Sequence, residues 1–232
     1  MIDVENLSAV YPDGHTALKN LSFRIPAGCA AALLGANGAG KSSLFQVLTG
    51  LLPASAGCVR MAGIELSRRT LTEIRRKTGL VFQNPDDQLF CARVEDDIAF
   101  GPRNMGLSSE ETDARVETAI RDMHLEELRA RSPQRLSEGE KRSAAIAGVL
   151  AMRPDIILFD EPTSQLDPRG RRQLAELLSS LPQTRLIATH DLGFAEKVCT
   201  HALVLKRGEK AAFGPLSDLL SDRALLYDCG LA

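Results

Sequence analysis

The chain of 232 residues lacks a strong excess of either charge, because 28 Lys and Arg oppose 30 Asp and Glu. A net charge of −2 argues against bulk electrostatic binding of nucleic acid, so we expect no nucleic-acid partner. The longest nearly continuous apolar stretch, Ala144 to Met152, is far shorter than the about 20 residues of a membrane-spanning helix. We therefore expect no direct membrane span and expect any membrane role to be exerted through a partner.

Cysteines are few, and no secretory leader is visible. The five cysteines are an odd number without a CxxC pair, which excludes a typical disulfide framework or structural zinc site. The first ten residues lack a basic segment followed by an apolar one, so we expect the chain to stay in the cytoplasm. With 44% hydrophobic and 25% charged residues, the composition is that of an ordinary globular chain.

Periodicity predicts an α/β fold. Residues 2–10 and 21–25 alternate apolar and polar side chains around a Pro-Asp-Gly turn, which predicts two antiparallel strands. Short apolar runs typical of strands buried on both faces of a parallel sheet follow at 29–34, 78–82, 156–159, 184–189 and 202–205. Helical segments such as 170–181 lie between some of them. We expect a single domain over 1–232.

A stretch with a different texture separates two of these strands. Ser108 and Glu111 have the spacing of a capping box, and Val116, Ile120 and Met123 continue one apolar helical face. A second helix is predicted over 139–152, ended by a proline. Residues 84–153 therefore predict a helical subdomain inserted into the α/β core.

The sequence GANGAGKS at 35–42 matches GxxxxGK[ST] and stands between an apolar strand and an amphipathic segment. Its glycines allow successive N–H groups to face phosphates, and the helix start adds its positive dipole end. Lys41 is predicted to reach the β- and γ-phosphates and Ser42 to hold Mg²⁺. A flexible glycine-rich turn with an exposed lysine is the alternative. The nucleotide-binding residues predicted here are Gly35, Asn37, Gly38, Gly40, Lys41, Ser42 and Ser43.

Three polar residues end other apolar strands. Asp160 and Glu161 follow residues 156–159, where acids in a P-loop protein reach Mg²⁺ through water and orient the attacking water. His190 follows residues 184–189 and is predicted to lie at the same edge of the sheet. The alternatives are an exposed acidic turn for the two acids and a local cap by Asp191 for the histidine.

Further motifs resemble those of ATP-binding cassette (ABC) ATPases. The sequence LSEGE at 136–140 resembles the LSGGQ signature, and SQLD at 164–167 resembles the D-loop. Gln83 resembles the Q-loop glutamine and Tyr11 the aromatic residue that stacks on adenine. Six ordered motifs span residues 11–190, so the resemblance covers nearly the whole chain.

The resemblance implies an ATPase with composite sites. Two chains would pack head to tail as a homodimer, with each ATP between the phosphate loop of one and the signature helix of the other. Glu161 would polarise water, His190 would contact the γ-phosphate, and Gln83 would sense it. The residues that would complete the nucleotide site are Ser137, Gly139 and Asp167, and those that would hold Mg²⁺ are Ser42, Gln83 and Asp160.

The sequence departs from the family pattern at Glu138, Glu140 and Gln165. A carboxylate beside a triphosphate is repulsive unless it points away or pairs, for example with Lys141 or Arg142. A regulatory cassette that dimerises on ATP but hydrolyses it poorly therefore stays open as an alternative.

A narrower resemblance is to the ATPases of energy-coupling factor (ECF) transporters. It rests on QNPDDQLF at 83–90, VEDDIAFGP at 94–102 and NMGL at 104–107, while 136–152 is similar to the cobalt and nickel branch. It implies partners in the membrane, an integral coupling protein and a substrate-binding subunit, and a peripheral location at the cytoplasmic face of the cell membrane. Leu89, Phe90 and Phe100 would receive a partner helix, or close the helical core. Cobalt is favoured over nickel, with a vitamin or another substrate as the alternative.

Rival classes lack their own signatures. A GTPase would need an NKxD motif, and the sequence has none. A translational or antiviral cassette would carry two phosphate loops, and a DNA-repair cassette would carry a much longer insert.

Overall fold

The computed structural model describes residues 1–231 and has the α/β architecture that the sequence predicts. The strands are β1 Ile2–Val10, β2 Thr16–Ile25, β3 Ala30–Leu34, β4 Ala56–Met61, β5 Ile64–Glu65, β6 Thr78–Val81, β7 Ile156–Asp160, β8 Thr184–Ala188, β9 His201–Lys206 and β10 Glu209–Pro215. The helices are α1 Lys41–Leu48, α2 Leu71–Lys77, α3 Val94–Asn104, α4 Ser109–Asp122, α5 Glu138–Ala151, α6 Pro168–Ser180, α7 Leu192–Val198, α8 Leu216–Ser221 and α9 Arg223–Asp228.

The smaller sheet has four antiparallel strands in the order β2-β1-β4-β5. Strand β2 begins at Thr16, earlier than the predicted start at Leu21. Its first part hides the alternating pattern because Ala17 and Leu18 are both buried and Asn20 has a φ of +48°. The pairing of β1 with β2 shifts register at this end, which explains why periodicity found only the second half.

The larger sheet has six strands in the order β10-β9-β3-β8-β7-β6, and only the β9/β10 pair is antiparallel. Strand β6 ends at Val81, one residue before the predicted end at Phe82, which is exposed. The N–H of Phe82 donates to the Gln88 Oε1 and its carbonyl accepts from Arg142. These side chains replace the strand partners that would have continued the ladder.

The central strands are buried on both faces and separate two hydrophobic cores. In β7, Ile156 and Leu158 pack toward the four-stranded sheet, α1 and α2, whereas Ile157 and Phe159 pack toward the helices that follow β6. This division follows from the period of two along a strand. It also explains the wholly apolar runs of the sequence, since neither face of these strands meets water.

Helices α3, α4 and α5 lie between β6 and β7 in the chain and pack on one another. The Ser108 Oγ accepts from the Glu111 N–H at 3.1 Å, as its spacing predicts, but the Glu111 carboxylate binds Arg115 instead of closing the capping box. The predicted apolar face, with Val116 and Ile120, is buried in the larger core.

No helix within residues 1–231 is both long enough and apolar enough to cross a membrane.

Candidate nucleotide site

The loop between β3 and α1 has a backbone that two of its glycines make possible. Gly40, at the start of α1, has a φ of +107°, which side chains with a Cβ rarely adopt. A Cβ on Gly35 would lie 2.7 Å from the carbonyl oxygen of Leu205. The loop can therefore stay close to the sheet edge and expose its N–H groups, an arrangement that suits an anion.

Lys41 is buried at the beginning of α1, with its ammonium group folded back over the loop. Its Nζ donates to the carbonyl oxygens of Gly35 at 2.6 Å and Ala36 at 3.3 Å. The alternative of an exposed lysine on a flexible turn does not describe this side chain. A fixed positive charge therefore lies against the start of this loop.

A cleft of 390 Å³ opens in front of this loop. It combines residues from five parts of the chain, since β3, β8 and β7 are parallel neighbours whose carboxyl ends meet at one edge of the sheet. The residues that line it are His15, Ala17, residues 36–43, Gln83, Asp160, Glu161 and His190. Most of the predicted nucleotide and magnesium residues thus share one cleft.

The two acids at the end of β7 have different surroundings. Burial raises the pKa of Asp160 above its ordinary value, and the nearby Glu161 adds to that rise while Lys41 opposes it. Glu161 is 8% exposed and has a φ of +43°, which is unusual for a residue with a side chain. An exposed acidic turn, the alternative for this pair, is therefore wrong for Glu161.

Glu161 contacts the histidine that follows β8. Its Oε2 lies 2.9 Å from the Nδ1 of His190 and 3.4 Å from the His190 amide nitrogen. Asp191, the alternative partner of His190, instead caps α7 by accepting from the Phe194 N–H and pairs with Arg171. The imidazole is 75% exposed and stands at the rim of the cleft with its carboxylate partner beneath it.

Tyr11 lies beside the cleft, and His15, a residue that sequence reasoning missed, lines it. The Tyr11 hydroxyl shares a hydrogen bond with the Ser43 Oγ at 3.0 Å and donates to Gln46 at 3.2 Å. His15 stacks on Tyr11 with ring centroids 6.3 Å apart and is itself part of the cleft wall. The sequence signal that could have identified His15 is the Pro-Asp-Gly turn, which reverses the chain direction and brings His15 next to Tyr11.

The signature residues lie in a different cleft of the same chain. Ser137, Gly139 and Asp167 line a 750 Å³ cleft between α5 and α6, which shares no residue with the cleft at the phosphate loop. Asp167 caps α6 by accepting from the Gly170 N–H at 2.6 Å, and Gln165 before it has a φ of +65°. One chain therefore does not bring its signature motif to its own phosphate loop.

The two unusual carboxylates of the signature are both engaged. Glu140 closes a capping box, in which its Oε2 accepts from the Ser137 N–H and the Ser137 hydroxyl, each at 2.7 Å. These bonds lower the pKa of Glu140. Glu138 pairs with Lys141 at 3.1 Å, and Lys141 also pairs with Asp86 at 2.8 Å. The predicted partner Lys141 is thus correct for Glu138.

A third depression, a 460 Å³ groove, lies between the segment after β6 and the helices α3 and α5. Phe90 and Phe100 are 63% and 45% exposed there, and their rings meet edge to face with centroids 4.8 Å apart. The prediction that Leu89 is presented alongside Phe90 is wrong, because Leu89 is buried in the helical core and forms part of the groove floor. The alternative that Phe100 only closes the core is also wrong.

The fold and the first cleft define a P-loop nucleotide-binding protein. The family model for ABC transporters matches residues 18–164. The chain belongs to the ABC transporter family and is an ATP-binding subunit with ATPase activity.

Individual relatives agree with this assignment. The chain is 46% identical to the energy-coupling factor transporter ATP-binding protein EcfA of Carboxydothermus hydrogenoformans, over 99% of this chain and 86% of that protein. It is 37% identical to the structure of cbiO1 from Clostridium perfringens, part of the cbiONQ transporter complex, with a TM-score of 0.87 over 99% of this chain and 94% of that one. The chain is also 29% identical in sequence to the cassette MJ0796, whose dimeric structure contains ADP and phosphate. The two structures have a TM-score of 0.83, over 93% of this chain and 99% of MJ0796.

Proposed function

We propose that this chain powers an ECF-type transporter that takes up a transition-metal ion, with cobalt favoured over nickel. It would act as a homodimer at the cytoplasmic face of the cell membrane, bound to an integral membrane coupling protein and a substrate-binding membrane subunit. Residues 84–153 would act as a helical subdomain within a single domain spanning 1–232.

One observation carries the dimeric part of this proposal. The phosphate loop and the signature motif lie in separate clefts of one chain, so neither cleft alone surrounds a triphosphate. In a head-to-tail dimer, Ser137, Gly139 and Asp167 of each chain would face the phosphate loop of the other. The start of α5 would then offer its N–H groups to the γ-phosphate. The dimeric arrangement of the MJ0796 cassette supports this pairing.

The same cleft offers oxygen donors of the kind that Mg²⁺ prefers. The Ser42 hydroxyl, the Gln83 amide and the Asp160 carboxylate all line it. Burial, and after it the nearby Glu161, raises the pKa of Asp160, and a divalent cation would offset both the lost hydration and the repulsion between the two acids. These residues fit the metal and would hold it. When bound, Mg²⁺ would neutralise charge on the phosphates.

The protein's own side chains supply the remaining chemistry. Lys41 would place its charge on the β- and γ-phosphates, and Tyr11 would stack on the adenine. Glu161 would orient and polarise the attacking water, and His190, held by Glu161 at 2.9 Å, would contact the γ-phosphate. Gln83 would sense that phosphate. These groups make hydrolysis, rather than binding alone, the reaction that the cleft favours.

The contacts of the signature carboxylates support a hydrolysing cassette over a regulatory one. The Glu140 carboxylate is held at the start of its own helix by Ser137, and Glu138 is paired with a lysine. The lysine offsets the charge of Glu138, so Glu138 repels a triphosphate less than a free carboxylate would, while the contacts of Glu140 fix its carboxylate against Ser137.

The exposed aromatic pair supports a membrane partner. Phe90 and Phe100 leave an apolar surface beside the segment that begins at Gln83, which suits the apolar face of a partner helix. Movement of Gln83 would then be passed to the membrane subunit through this segment.

Purification of the tagged chain from detergent-solubilised membranes of its native host tests the proposal. We expect integral membrane proteins to copurify and the reconstituted complex to accumulate radioactive cobalt, and less nickel, only with ATP. If the complex takes up a vitamin but neither cobalt nor nickel, the ECF assignment would stand and the proposed metal substrate would be refuted. If no integral membrane protein copurifies with the chain, the transporter role would be contradicted.

A further inference from the structure

The first two turns of the signature helix bind directly to the segment that carries Gln83. The buried guanidinium of Arg142 donates from Nη1 to the carbonyl oxygen of Phe82 and from Nη2 to that of Gln83, both at 2.6 Å. Lys141 pairs with Asp86 on the same segment, and the Gln88 side chain donates to the carbonyl of Ala145 at 2.8 Å. Helix α5 and residues 82–88 are therefore joined by several polar contacts.

Arg142 is a buried charge whose hydrogen-bond partners are two adjacent backbone carbonyl groups. The side chain is 3% exposed, and burial lowers the pKa of its guanidinium. Two short charge-assisted hydrogen bonds to adjacent carbonyls offset part of that cost and fix both peptide groups at once, because the guanidinium is a planar fork, while its Nε is buried without a partner among the described residues. An arginine is suited to this task, whereas a lysine can donate to both carbonyls only as a flexible point charge.

Gln83 itself depends on its backbone for position. It is exposed in the nucleotide cleft, and within residues 1–231 its side chain has no hydrogen-bond partner. Its carbonyl, by contrast, is held by Arg142. The peptide groups that Arg142 binds therefore fix the backbone position from which the Gln83 side chain enters the cleft.

We infer that Arg142 is a positioning residue: it holds Gln83 toward the nucleotide of its own chain and ties that position to the start of the signature helix, which serves the partner's nucleotide. The inference rests on the proposed role of Gln83. A shift of Gln83 on nucleotide binding would move the start of α5, and so Ser137, in the same step. The two composite sites of a dimer would be linked through this contact.

A double-mutant cycle between Arg142 and Gln83 tests the inference in the full chain. We expect Arg142→Met to lower kcat for ATP hydrolysis by roughly tenfold or more in the otherwise unchanged protein. In the Gln83→Ala background the same substitution should cost less than about twofold, because the residue on which it acts is gone. KM for ATP should change little in either case, since the phosphate loop is untouched.

Arg121→Met is the matched control, because Arg121 is exposed on α4 of the same helical region. It should leave kcat unchanged in both backgrounds. An equal loss from Arg142→Met in both backgrounds would show a merely structural role and overturn the inference. A Gln83→Ala chain that hydrolyses at the normal rate would overturn it as well, together with the role of Gln83. Absence of any ATPase activity in the unchanged protein would instead refute the proposed function.

A fluorescence measurement covers the case in which Arg142→Met folds poorly. The chain has no tryptophan, so Phe82→Trp introduces a single reporter next to Gln83. We expect ATP to change its emission, and Arg142→Lys, which keeps the charge, to lower its anisotropy and reduce that change by at least half. The same anisotropy and the same ATP response in Arg142→Lys would contradict the inference.

Discussion

At the scale of single residues, the proposed reactive group of the cleft is a largely buried carboxylate. Glu161 is buried under His190, and its backbone adopts a φ of +43°. Such backbone conformations are costly for residues with side chains and are concentrated at functional sites. The Glu161 N–H donates to the carbonyl of Ala188 in β8, and His190 holds the carboxylate.

Replacing this carboxylate should separate binding from hydrolysis. We expect Glu161→Gln to lower the rate of ATP hydrolysis by about 10²- to 10⁴-fold, because an amide cannot polarise water as a base, while the phosphate loop still binds ATP. Steady-state phosphate release and equilibrium binding of a fluorescent ATP analogue measure the two effects. Glu196→Gln on the exposed face of α7 is the control. A rate close to that of the unchanged protein would refute the role of Glu161.

At the scale of elements, the start of α5 performs two tasks. Ser137 caps the helix and is also the residue proposed to meet the partner's γ-phosphate. Glu140 holds the Ser137 hydroxyl and N–H at 2.7 Å, so the capping box sets the direction in which that serine points.

The capping box should make stability depend on pH. Because the native pKa of Glu140 is lowered, its contribution is present above the ordinary carboxyl pKa and is lost as the pH falls through the lower native value. Glu140→Gln can still close the box, so we expect it to remove this pH dependence and change stability at neutral pH by less than about 1 kcal/mol. Glu140→Ala should cost about 1 kcal/mol at neutral pH.

Urea unfolding of the three proteins between neutral and acidic pH measures these differences. Identical pH dependence in the original protein and Glu140→Gln would contradict the contribution assigned to Glu140.

The groove between residues 82–90 and the helices α3 and α5 is the second feature for which we propose a binding partner. Phe90 leaves most of its ring in water and rests against the edge of Phe100. An apolar anchor of this size that becomes buried in a complex can contribute about 2 kcal/mol or more.

We expect Phe90→Ala to weaken assembly with the membrane subunits by about 30-fold, the equivalent of about 2 kcal/mol, and to abolish ATP-dependent uptake. ATP binding by the isolated chain should be unchanged, since Phe90 does not line the nucleotide cleft. Affinity copurification and uptake assays measure the loss. Tyr227→Ala, an exposed aromatic on α9 outside the groove, should have no effect. Unaltered assembly would place the docking surface elsewhere.

At the scale of the whole molecule, the two separate clefts of one chain are the basis for proposing a second chain. The phosphate-loop cleft and the signature cleft are built from different elements, and each presents charge or helix N–H groups that a triphosphate would satisfy. ATP would then hold two chains together and make association depend on nucleotide.

A mixing experiment tests this composite arrangement. In a Glu161→Gln background, Lys41→Ala removes one half-site and Gly139→Phe blocks the other; a Cβ at Gly139 meets no atom within 4 Å in the chain, so the fold should tolerate it. We expect each variant alone to elute as a monomer with Mg-ATP, and the mixture to form dimers because one intact site is restored. A mixture that forms no more dimer than either variant alone would contradict the head-to-tail arrangement.

Local chemistry made much of this molecule predictable from sequence. The order GANGAGKS between a strand and a helix determines the phosphate loop, because only glycines suit its backbone. Apolar runs locate the buried strands, and the Ser108-x-x-Glu111 spacing locates the start of α4. Each of these features depends on residues close together in the chain.

Contacts between distant segments needed the tertiary structure. The pairing of Glu161 with His190, the burial of Leu89 against the exposure of Phe90, and the grip of Arg142 on the Gln83 carbonyl join residues that lie on separate elements. Which face of a short loop meets the core depends on how helices and sheets pack, and sequence spacing carries no such information. The packing of the elements, rather than any motif, also placed the signature apart from the phosphate loop, which is why we propose that a second chain completes the site.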